Sequence, residues 1–188
     1  MLVPVKAFGD AKLRLAPVLS SDERAMLARE MAAHVVAAAA PLPVAVVCDD
    51  DGVRTWAESV GARVLWLPGR GLNGAVQEGV AALAADGFDR VVVAHADLPL
   101  ATTLAWLAAE PGITLVPDRH EDGTNVVSVP SGVGFCFAYG PGSFIRHCSE
   151  AERVGLALRV VRDPALGWDV DVPGDLGFER RGFGAPCP

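Results

Sequence analysis

The chain has 188 residues, the usual size of one cooperative domain, so a single domain over residues 1–188 is expected. Apolar residues make up 51% and charged residues 21% of the sequence, and this balance excludes a disordered chain and predicts a large buried core. The formal net charge of −7 argues against unspecific binding to nucleic acid or to an anionic membrane.

Strand and helix signals alternate through the first half of the sequence. The apolar run Leu2–Lys6 predicts a buried strand, and the capping box Ser20-x-x-Glu23 opens a helix expected to reach about Ala39. Further strands are predicted at Val44–Cys48, Ala62–Leu67 and Arg90–Ala94, with helices at Val53–Val60 and Asn73–Ala85 between them. This alternation predicts a parallel sheet with helices on both faces.

The second half predicts a different pairing of strands. A strand at Ile113–Pro117 is followed by two runs, Asn125–Val129 and Gly134–Ala138, and the short turn between them predicts an antiparallel hairpin. A helix starting near Ser143, a strand near Leu156–Val161 and a short helix from Pro173 complete the prediction. The predicted fold class is α/β, a doubly wound, mostly parallel mixed sheet with a late antiparallel section. Such sheets bind ligands beyond the carboxyl ends of their parallel strands.

Several other classes of protein are disfavoured. The longest apolar stretch, Met31–Cys48, is interrupted by His34, Pro41 and Pro43, so no membrane span is predicted. The sequence has no recognisable signal peptide, and a cytoplasmic location is expected. The four cysteines include no C-x-x-C pair, which disfavours a zinc site and a disulfide framework, so they are interpreted as buried or idle thiols.

The loop after the first strand carries three cations, Lys6, Lys12 and Arg14. The only two lysines of the chain are Lys6 and Lys12, which suggests that a compact ammonium group is required here. At the mouth of an α/β sheet such a loop can surround a polyphosphate. Neither the Walker motif nor the G-x-G-x-x-G fingerprint is present. The alternative interpretation is a solvated basic loop.

Carboxylates follow two other strands at the same predicted edge. Asp97 comes just after the strand Arg90–Ala94, where it can hold Mg²⁺ or cap a following helix. Asp169 and Asp171 follow the last strand and project to one face if that segment is extended, so both can approach one cation. Asp175 is expected in the first turn of the helix from Pro173, where a negative charge suits the helix dipole.

A polar cluster in the second half offers groups for a further anion. Thr124 and Ser143 carry hydroxyls, and the predicted helix start near Ser143 offers unpaired backbone N–H groups. Ordinary turn and cap chemistry is the alternative interpretation of this cluster. Asn73 in the predicted helix can contact a base or ribose, with helix capping as its alternative role.

These motifs together resemble the 2-phospho-L-lactate guanylyltransferase family, enzymes of coenzyme F-420 biosynthesis with the MobA-like, GT-A-like nucleotidyltransferase fold. The resemblance covers nearly the whole chain and is specific because six short motifs occur in order. They are Pro4-Val-Lys6 with Ala11-Lys12-x-Arg14-Leu15, Gly71-Leu-Asn73-x-Ala75, Ala96-Asp97-Leu-Pro-Leu100, Pro117-Asp-Arg-His120 with Gly123-Thr-Asn125, Gly140-Pro-Gly-Ser-Phe144 with Arg146-His147, and Asp169-Val-Asp171.

The resemblance implies GTP as donor and a phosphorylated three-carbon acid as acceptor, namely 2-phospho-L-lactate, phosphoenolpyruvate or 3-phosphoglycerate. It implies that the acceptor phosphate attacks the α-phosphorus of GTP and that pyrophosphate leaves. The implied site residues comprise Lys6, Lys12, Arg14 and Asn73 for GTP, Asp97 with Asp169 or Asp171 for Mg²⁺, and Thr124, Gly140 and Ser143 for the acceptor.

Two other functions stay open at this stage. A sugar-phosphate or molybdopterin nucleotidyltransferase would keep the basic loop and the carboxylates but change the region from Thr124 to Ser143. A nucleotide-binding protein without catalysis would keep the fold. Its disfavouring features are the residues Lys6, Lys12, Arg14 and Asp97, all of which are present. The sequence does not select one acid, and it leaves a homodimer open.

Overall fold

A computed structural model describes residues 1–181 and shows a seven-stranded mixed sheet flanked by helices. The strand order is β3-β2-β1-β4-β6-β5-β7, and β6 is the strand that runs antiparallel to its neighbours β4 and β5. The strands are β1 Leu2–Pro4, β2 Ala45–Cys48, β3 Arg63–Trp66, β4 Arg90–Ala94, β5 Ile113–Pro117, β6 Thr124–Pro130 and β7 Leu158–Val160. The predicted fold class, a mostly parallel doubly wound sheet with a late antiparallel section, is confirmed.

Four α-helices cover the two faces of the sheet. They are α1 Ser21–Ala38, α2 Asp51–Ser59, α3 Gly71–Ala85 and α4 Ser143–Arg153, and a 3-10 segment spans Pro173–Arg181. The capping box that opens α1 forms as predicted, since Glu23 N–H donates to the Ser20 hydroxyl while the Glu23 carboxylate accepts from Ser20 N–H. No helix within residues 1–181 combines the length and apolarity that crossing a bilayer requires.

The core consists of two apolar layers, one on each face of the sheet. Neighbouring strand residues alternate between the layers, so Val3 packs with α1 and α2 while Leu2 packs with α3. A third, smaller cluster of Leu15, Met31, Trp168 and Val170 lies under the loops at the carboxyl edge of the sheet. This cluster holds the end of the first loop beside the segment of residues 169–171.

The predicted hairpin between Asn125–Val129 and Gly134–Ala138 is wrong. The first run forms β6, but β6 pairs with β4 and β5, and residues 134–138 belong to no strand. The second run was mistaken for a strand because its alternate residues Phe135 and Phe137 are buried, as in a strand. Residues 135–139, here called the strap, are extended chain whose backbone is held by side chains of α3 and α4.

The cysteine prediction is only partly covered by the described residues. Cys48 is buried, Cys136 is exposed and Cys148 is half-buried, and all three thiols are free. Cys187 lies outside the described residues.

Candidate active site

A cavity of about 760 Å³ opens at the carboxyl ends of β1, β2 and β4. This is the edge at which doubly wound sheets bind nucleotides. The first loop forms one wall, and the start of α3 and the segment after β4 form others. Polar and charged residues in its lining are Lys6, Asp10, Lys12, Arg14, Asp49, His95, Asp97 and Asp171.

The first loop places its three cations along this cavity. Lys6 is exposed and makes no ion pair with any residue in the described range, while the Arg14 side chain is 73% exposed. Lys12 differs, because its side chain is only 10% exposed and its backbone is left-handed, with φ of 55°. A non-glycine residue rarely adopts this conformation, which here turns the lysine inward. The guanidinium of the buried Arg24 supports the loop by donating to the carbonyl of Ala11 at 3.1 Å.

The inward turn brings Lys12 between two carboxylates. Its Nζ donates to Oδ2 of Asp97 and lies 3.4 Å from Oδ1 of Asp171. Arg14 Nη1 lies 3.5 Å from the other oxygen of Asp171. The structure thus brings together Lys12, Arg14, Asp97 and Asp171, which are four of the predicted site residues.

Electrostatics keep this cluster ionised. Burial disfavours the charged form of Lys12, but the carboxylates of Asp97 and Asp171 outweigh burial and raise the pKa of Lys12. Burial likewise disfavours the charged form of Asp97, yet the Lys12 ammonium, with a smaller effect from His95, holds the pKa of Asp97 below its usual range. A cation and a carboxylate therefore face each other at neutral pH inside the cavity.

Asp97 does not cap a helix, so that alternative is wrong. The residues after β4 form a turn, in which Ala101 N–H donates to the carbonyl of Leu98. One oxygen of Asp97 faces Lys12, and the other, Oδ1, is buried without a hydrogen-bond partner. A buried carboxylate oxygen without a protein partner is unusual in a folded protein, and this oxygen is available to bind a cation or a hydrogen-bond donor.

Asp169 and Asp171 have different partners. Asp171 faces Lys12, whereas Oδ1 of Asp169 lies 3.8 Å from Nη1 of Arg119. Burial, with the negative charge of Asp97 as the next cause, raises the pKa of Asp169. Val170, between them, is fully buried, and its N–H donates to the carbonyl of Asp97 at 3.3 Å. This hydrogen bond ties the acidic segment to the end of β4.

Two residues hold the acidic segment in place. Asp175 lies in the first turn of the 3-10 segment, as predicted, and its Oδ2 accepts the N–H groups of Asp171 and Val172 at 2.8 Å each. Arg119 pairs with the other oxygen of Asp175, donates to the carbonyl of Asp169 at 3.0 Å and stacks 4.4 Å from the centroid of the Trp168 ring. Asp175 is thus a positioning residue rather than only a partner of the helix dipole.

The donor set fits Mg²⁺. Asp97 offers an unpartnered oxygen, and Asp171 is half-exposed beside it. Among residues 1–181 no three His, Cys, Asp or Glu side chains form a group that could hold a metal. Mg²⁺ does not require such a group, since it commonly takes one or two carboxylates together with substrate phosphates and water.

Thr124 and Ser143 lie together, but they are buried and do not line the cavity. Their hydroxyl oxygens are 3.5 Å apart, and Nδ1 of His147 lies 3.0 Å from the Thr124 hydroxyl. His147 Nε2 accepts the N–H of Ala138, so its proton belongs on Nδ1, which donates to Thr124. Burial, with the charge of Arg146 as the next cause, lowers the pKa of His147 to about 4.

The expectation of unpaired N–H groups at the start of α4 is wrong. Gly142 N–H donates to the Asp122 carboxylate at 3.0 Å, and Phe144 N–H donates to the Asp122 carbonyl at 3.1 Å. Ser143 N–H donates to the carbonyl of Gly140 at 2.9 Å. These donors are already used inside the protein, so they cannot bind an anion without rearrangement. Gly140 itself is exposed and adopts φ of 117° at the end of the strap.

Asn73 neither caps α3 nor lines the cavity. It lies inside the helix, whose N-cap is Arg70. Its amide nitrogen donates to the Tyr139 carbonyl at 3.3 Å, and its amide oxygen accepts the Tyr139 N–H at 2.6 Å. Gln77, one turn later, holds two other residues of the strap: its amide nitrogen donates to the Phe135 carbonyl at 3.0 Å, and its amide oxygen accepts the Phe137 N–H at 3.1 Å. Both polar atoms of Asn73 are occupied, so the expected contact with GTP has no support in this geometry.

Three residues with clear structural roles, Arg119, His147 and Gln77, were not assigned one from the sequence, and His95 in the cavity wall was not singled out either. Arg119 and His147 occur within the quoted motifs, but nothing in one sequence shows what they contact. Gln77 could have been noticed as an amide one helical turn after Asn73. His95 could have been noticed because it follows a buried strand and precedes Asp97 by two residues.

A nucleotidyl transfer requires cations around a triphosphate and a means of bringing a second anion to its α-phosphorus. The cavity meets the first requirement with its cationic loop and carboxylates, at the edge where this fold binds nucleotides. A family model described as "Guanylyl transferase CofC like" matches residues 1–179, so the protein is a nucleotidyltransferase, and the chain belongs to this family.

Curated relatives support the same assignment. A phosphoenolpyruvate guanylyltransferase from Sphaerobacter thermophilus is 38% identical over 184 residues, which cover 93% of this chain and 89% of the relative. A 2-phospho-L-lactate guanylyltransferase from Methanothermobacter thermautotrophicus is 34% identical over 185 residues, covering 94% of this chain and 81% of the relative. The family resemblance inferred from the six motifs is confirmed.

Solved structures confirm the fold. A nucleotidyl transferase from Methanothermobacter superposes with a TM-score of 0.65 at 16% identity, covering 97% of each chain. A 4-diphosphocytidyl-2C-methyl-D-erythritol synthase superposes with a TM-score of 0.64 at 17% identity, covering 95% of this chain and 94% of the other. At these identities the likeness concerns the fold alone.

Proposed function

We propose that this protein transfers GMP from GTP to a phosphorylated three-carbon acid and releases pyrophosphate. The observation that carries the proposal is the cluster of Lys12, Asp97 and Asp171 beside Lys6 and Arg14 in one cavity. The names of the relatives support the guanylyl donor and the acidic acceptor. The product is a guanosine diphosphate linked to the acid, and membership of the family supports a place in coenzyme F-420 biosynthesis.

Charge is the main obstacle to this reaction, because both the attacking phosphate and the attacked triphosphate are anions. Lys6 and Arg14 are the exposed cations of the cavity, so they bind the triphosphate and stabilise the departing pyrophosphate. No general base is needed, since a phosphate oxygen of the acceptor is already ionised near pH 7. The protein therefore contributes charge neutralisation and alignment.

Mg²⁺ would be held by Asp97 and Asp171, where it would supply positive charge to the donor and acceptor phosphates. Asp171 is favoured over Asp169 as the second ligand because it shares Lys12 with Asp97, whereas Asp169 faces Arg119. Lys12 keeps the two carboxylates at one place, and Asp175 fixes the backbone that carries Asp171. EDTA is expected to abolish turnover and excess Mg²⁺ to restore it.

The acceptor is predicted to bind beside Thr124, Gly140 and Ser143. The hydroxyls are buried, so the support for this prediction is their position. Antiparallel β6 begins at Thr124, which therefore lies at the edge where the parallel strand β4 ends. Thr124→Val and Ser143→Ala are expected to raise the KM for the acid while leaving the KM for GTP within about twofold. An equal rise in both constants would assign this cluster to the nucleotide.

The direct test is a matrix of nucleotides and acids. Purified protein with Mg²⁺ is incubated with GTP, ATP, CTP or UTP and with phosphoenolpyruvate, 2-phospho-L-lactate or 3-phosphoglycerate, and products are identified by mass. We expect pyrophosphate release and a GDP-linked acid with GTP and one of the three acids. Phosphoenolpyruvate is the first acid to test, given the relatives. Turnover with a sugar phosphate instead of these acids would contradict the proposal.

A further inference from the structure

His95 lies in the wall of the cavity and has no role in the chemistry described above. It follows β4 directly, and its N–H donates to the carbonyl of Asn125 at 3.0 Å, which extends the pairing of β4 with β6 by one residue. Its ring nitrogen Nε2 is buried and has no hydrogen-bond partner. An imidazole nitrogen in this situation loses its interaction with water without replacing it, which costs free energy.

The neighbours of His95 share this feature. Its ring packs on the ring of Tyr139, with centroids 4.9 Å apart, and the Tyr139 hydroxyl is also buried without a partner. Asp97, two residues away, has the unpartnered oxygen described above. Within residues 1–181, five buried side-chain atoms lack a partner, and three of them belong to His95, Asp97 and Tyr139. His95 and Asp97 line the cavity and Tyr139 packs on His95, so these unpartnered atoms lie close together and indicate a place shaped for a polar ligand rather than isolated packing faults.

The position of His95 indicates which ligand this is. Strand β4 lies between β1 and β6 in the sheet, so His95 stands between the cationic loop that follows β1 and Thr124 at the start of β6. The ring of Tyr139 also packs on that of His147, with ring centroids 5.0 Å apart, and His147 contacts Thr124. His95, Tyr139, His147 and Thr124 are thus linked by contacts, and of these residues His95 lines the cavity. Thr124 and Ser143 do not line it.

We propose that Nε2–H of His95 donates a hydrogen bond to an anionic oxygen of the acid acceptor, which makes His95 a further acceptor-binding residue. The inference rests on the proposed function. Carboxylate and phosphate oxygens are acceptors only, so they match a ring nitrogen that carries a proton. The acid then lies against the segment that follows β4, on the side of the cavity toward Thr124 at the start of β6.

The first experiment compares His95→Leu and His95→Gln with the wild-type enzyme. The KM for the acid is measured at saturating GTP, and the KM for GTP at saturating acid. We expect His95→Leu to raise the KM for the acid about ten- to hundredfold, the range for loss of a charge-assisted hydrogen bond, while the KM for GTP changes less than twofold. His95→Gln retains an N–H donor and should recover part of the affinity. His34→Leu, at an exposed position on α1, is the matched control and should match wild type.

Two kinetic outcomes would overturn the inference. An unchanged KM for the acid in His95→Leu would show that Nε2 does not contact the acceptor. A rise in the KM for GTP as large as that for the acid would place His95 in the nucleotide site. A wild-type enzyme that turns over none of the three acids is a different result, because it contradicts the proposed function itself.

A measurement on the wild-type protein covers the case in which the variants do not fold. Histidine side chains are labelled with ¹⁵N, and the protein is saturated with Mg²⁺ and a GTP analogue that has a methylene bridge between its α- and β-phosphorus atoms. The acid that supports turnover is then added. We expect the Nε2 resonance of His95 to move while that of His34 stays in place, and an unmoved His95 resonance would refute the contact.

Discussion

Replacing Asp97 by Asn removes one negative charge beside Lys12 while keeping the size of the side chain. The Lys12 side chain is 10% exposed and that of Asp97 is 20% exposed, so solvent screens the pair only in part. Loss of a charge-assisted hydrogen bond costs about 1.5–3 kcal/mol, and removal of one partner of a fully buried pair costs about 3–5 kcal/mol. Because Asp171 still lies 3.4 Å from Lys12, the lower range applies, at about 2 kcal/mol.

For a domain of this size, about 2 kcal/mol corresponds to a fall of about 4–8 °C in the thermal midpoint. The pKa of Asp97 is lowered in the folded state, so its stabilising effect is present above the unfolded value of about 4 and is lost as the pH falls through the folded pKa. The midpoints of wild type and Asp97→Asn should therefore differ at pH 7 and converge only at pH values below about 4.

Turnover tests the functional half of the same prediction. Asp97→Asn should lower kcat by more than about a hundredfold. The variant lacks the carboxylate that positions both Lys12 and Mg²⁺, the cations that stabilise the negative charge developing on the phosphates in the transition state. Asp86→Asn is the matched control, since Asp86 also pairs with a cationic side chain, that of Arg63, but at the opposite edge of the sheet and on the surface. It should retain full activity and shift the midpoint little. Near wild-type turnover in Asp97→Asn, or equal thermal midpoints at pH 7, would refute the reasoning.

Three further predictions concern other parts of the structure. Arg14→Ala should lower kcat/KM for GTP about ten- to hundredfold, because a charge-assisted hydrogen bond to phosphate is lost. The control Arg159→Ala removes a surface partner of Glu110 and should leave kcat/KM unchanged. Equal kcat/KM values for the two variants would exclude Arg14 from the site. Asn73→Ala should reduce the free energy of unfolding in urea by about 2 kcal/mol, because both backbone hydrogen bonds of one strap residue are lost, and an unchanged value would contradict this anchoring. The pKa of His147 falls from 6.5 to about 4 on folding, so the unfolded chain binds more protons between these values. Stability should decrease by about 3 kcal/mol from pH 7 to pH 4, with a shallower decrease in His147→Gln.

Local signals in the sequence predict most of the sheet and helices correctly. The strands Arg90–Ala94 and Ile113–Pro117 have the predicted bounds, because each is a short apolar run between polar or turn residues. The convergence of Asp97 and Asp171 also follows from sequence, since parallel strands end at one edge. The insertion of Lys12 between them depends on a left-handed lysine, a conformation that no local pattern indicates.

The strap shows where local reasoning fails. Phe135, Phe137 and Tyr139 are buried at alternate positions, which is also what a strand would show. The difference lies in the partners of the backbone, which are side chains of Asn73, Gln77 and two residues of α4. Those contacts span about sixty positions of sequence in one direction, and a single chain gives no signal for them. For the same reason the hydrogen bonds of Asn73 to Tyr139 are not predictable from the sequence.

The way α3 holds the strap also limits how long the strap can be. Residues four apart on a helix are separated by about 6.0 Å along its axis, whereas two residues of extended chain span about 6.6–6.8 Å. The two repeats match well enough for Gln77 to accept the N–H of Phe137 as one rung and for Asn73 to accept the N–H of Tyr139 as the next, but the mismatch grows by more than half an ångström with every rung. Side chains at every fourth position of a helix can therefore hydrogen-bond to an extended segment over only a few residues. Gly140, with φ of 117°, turns the chain away directly after the second rung.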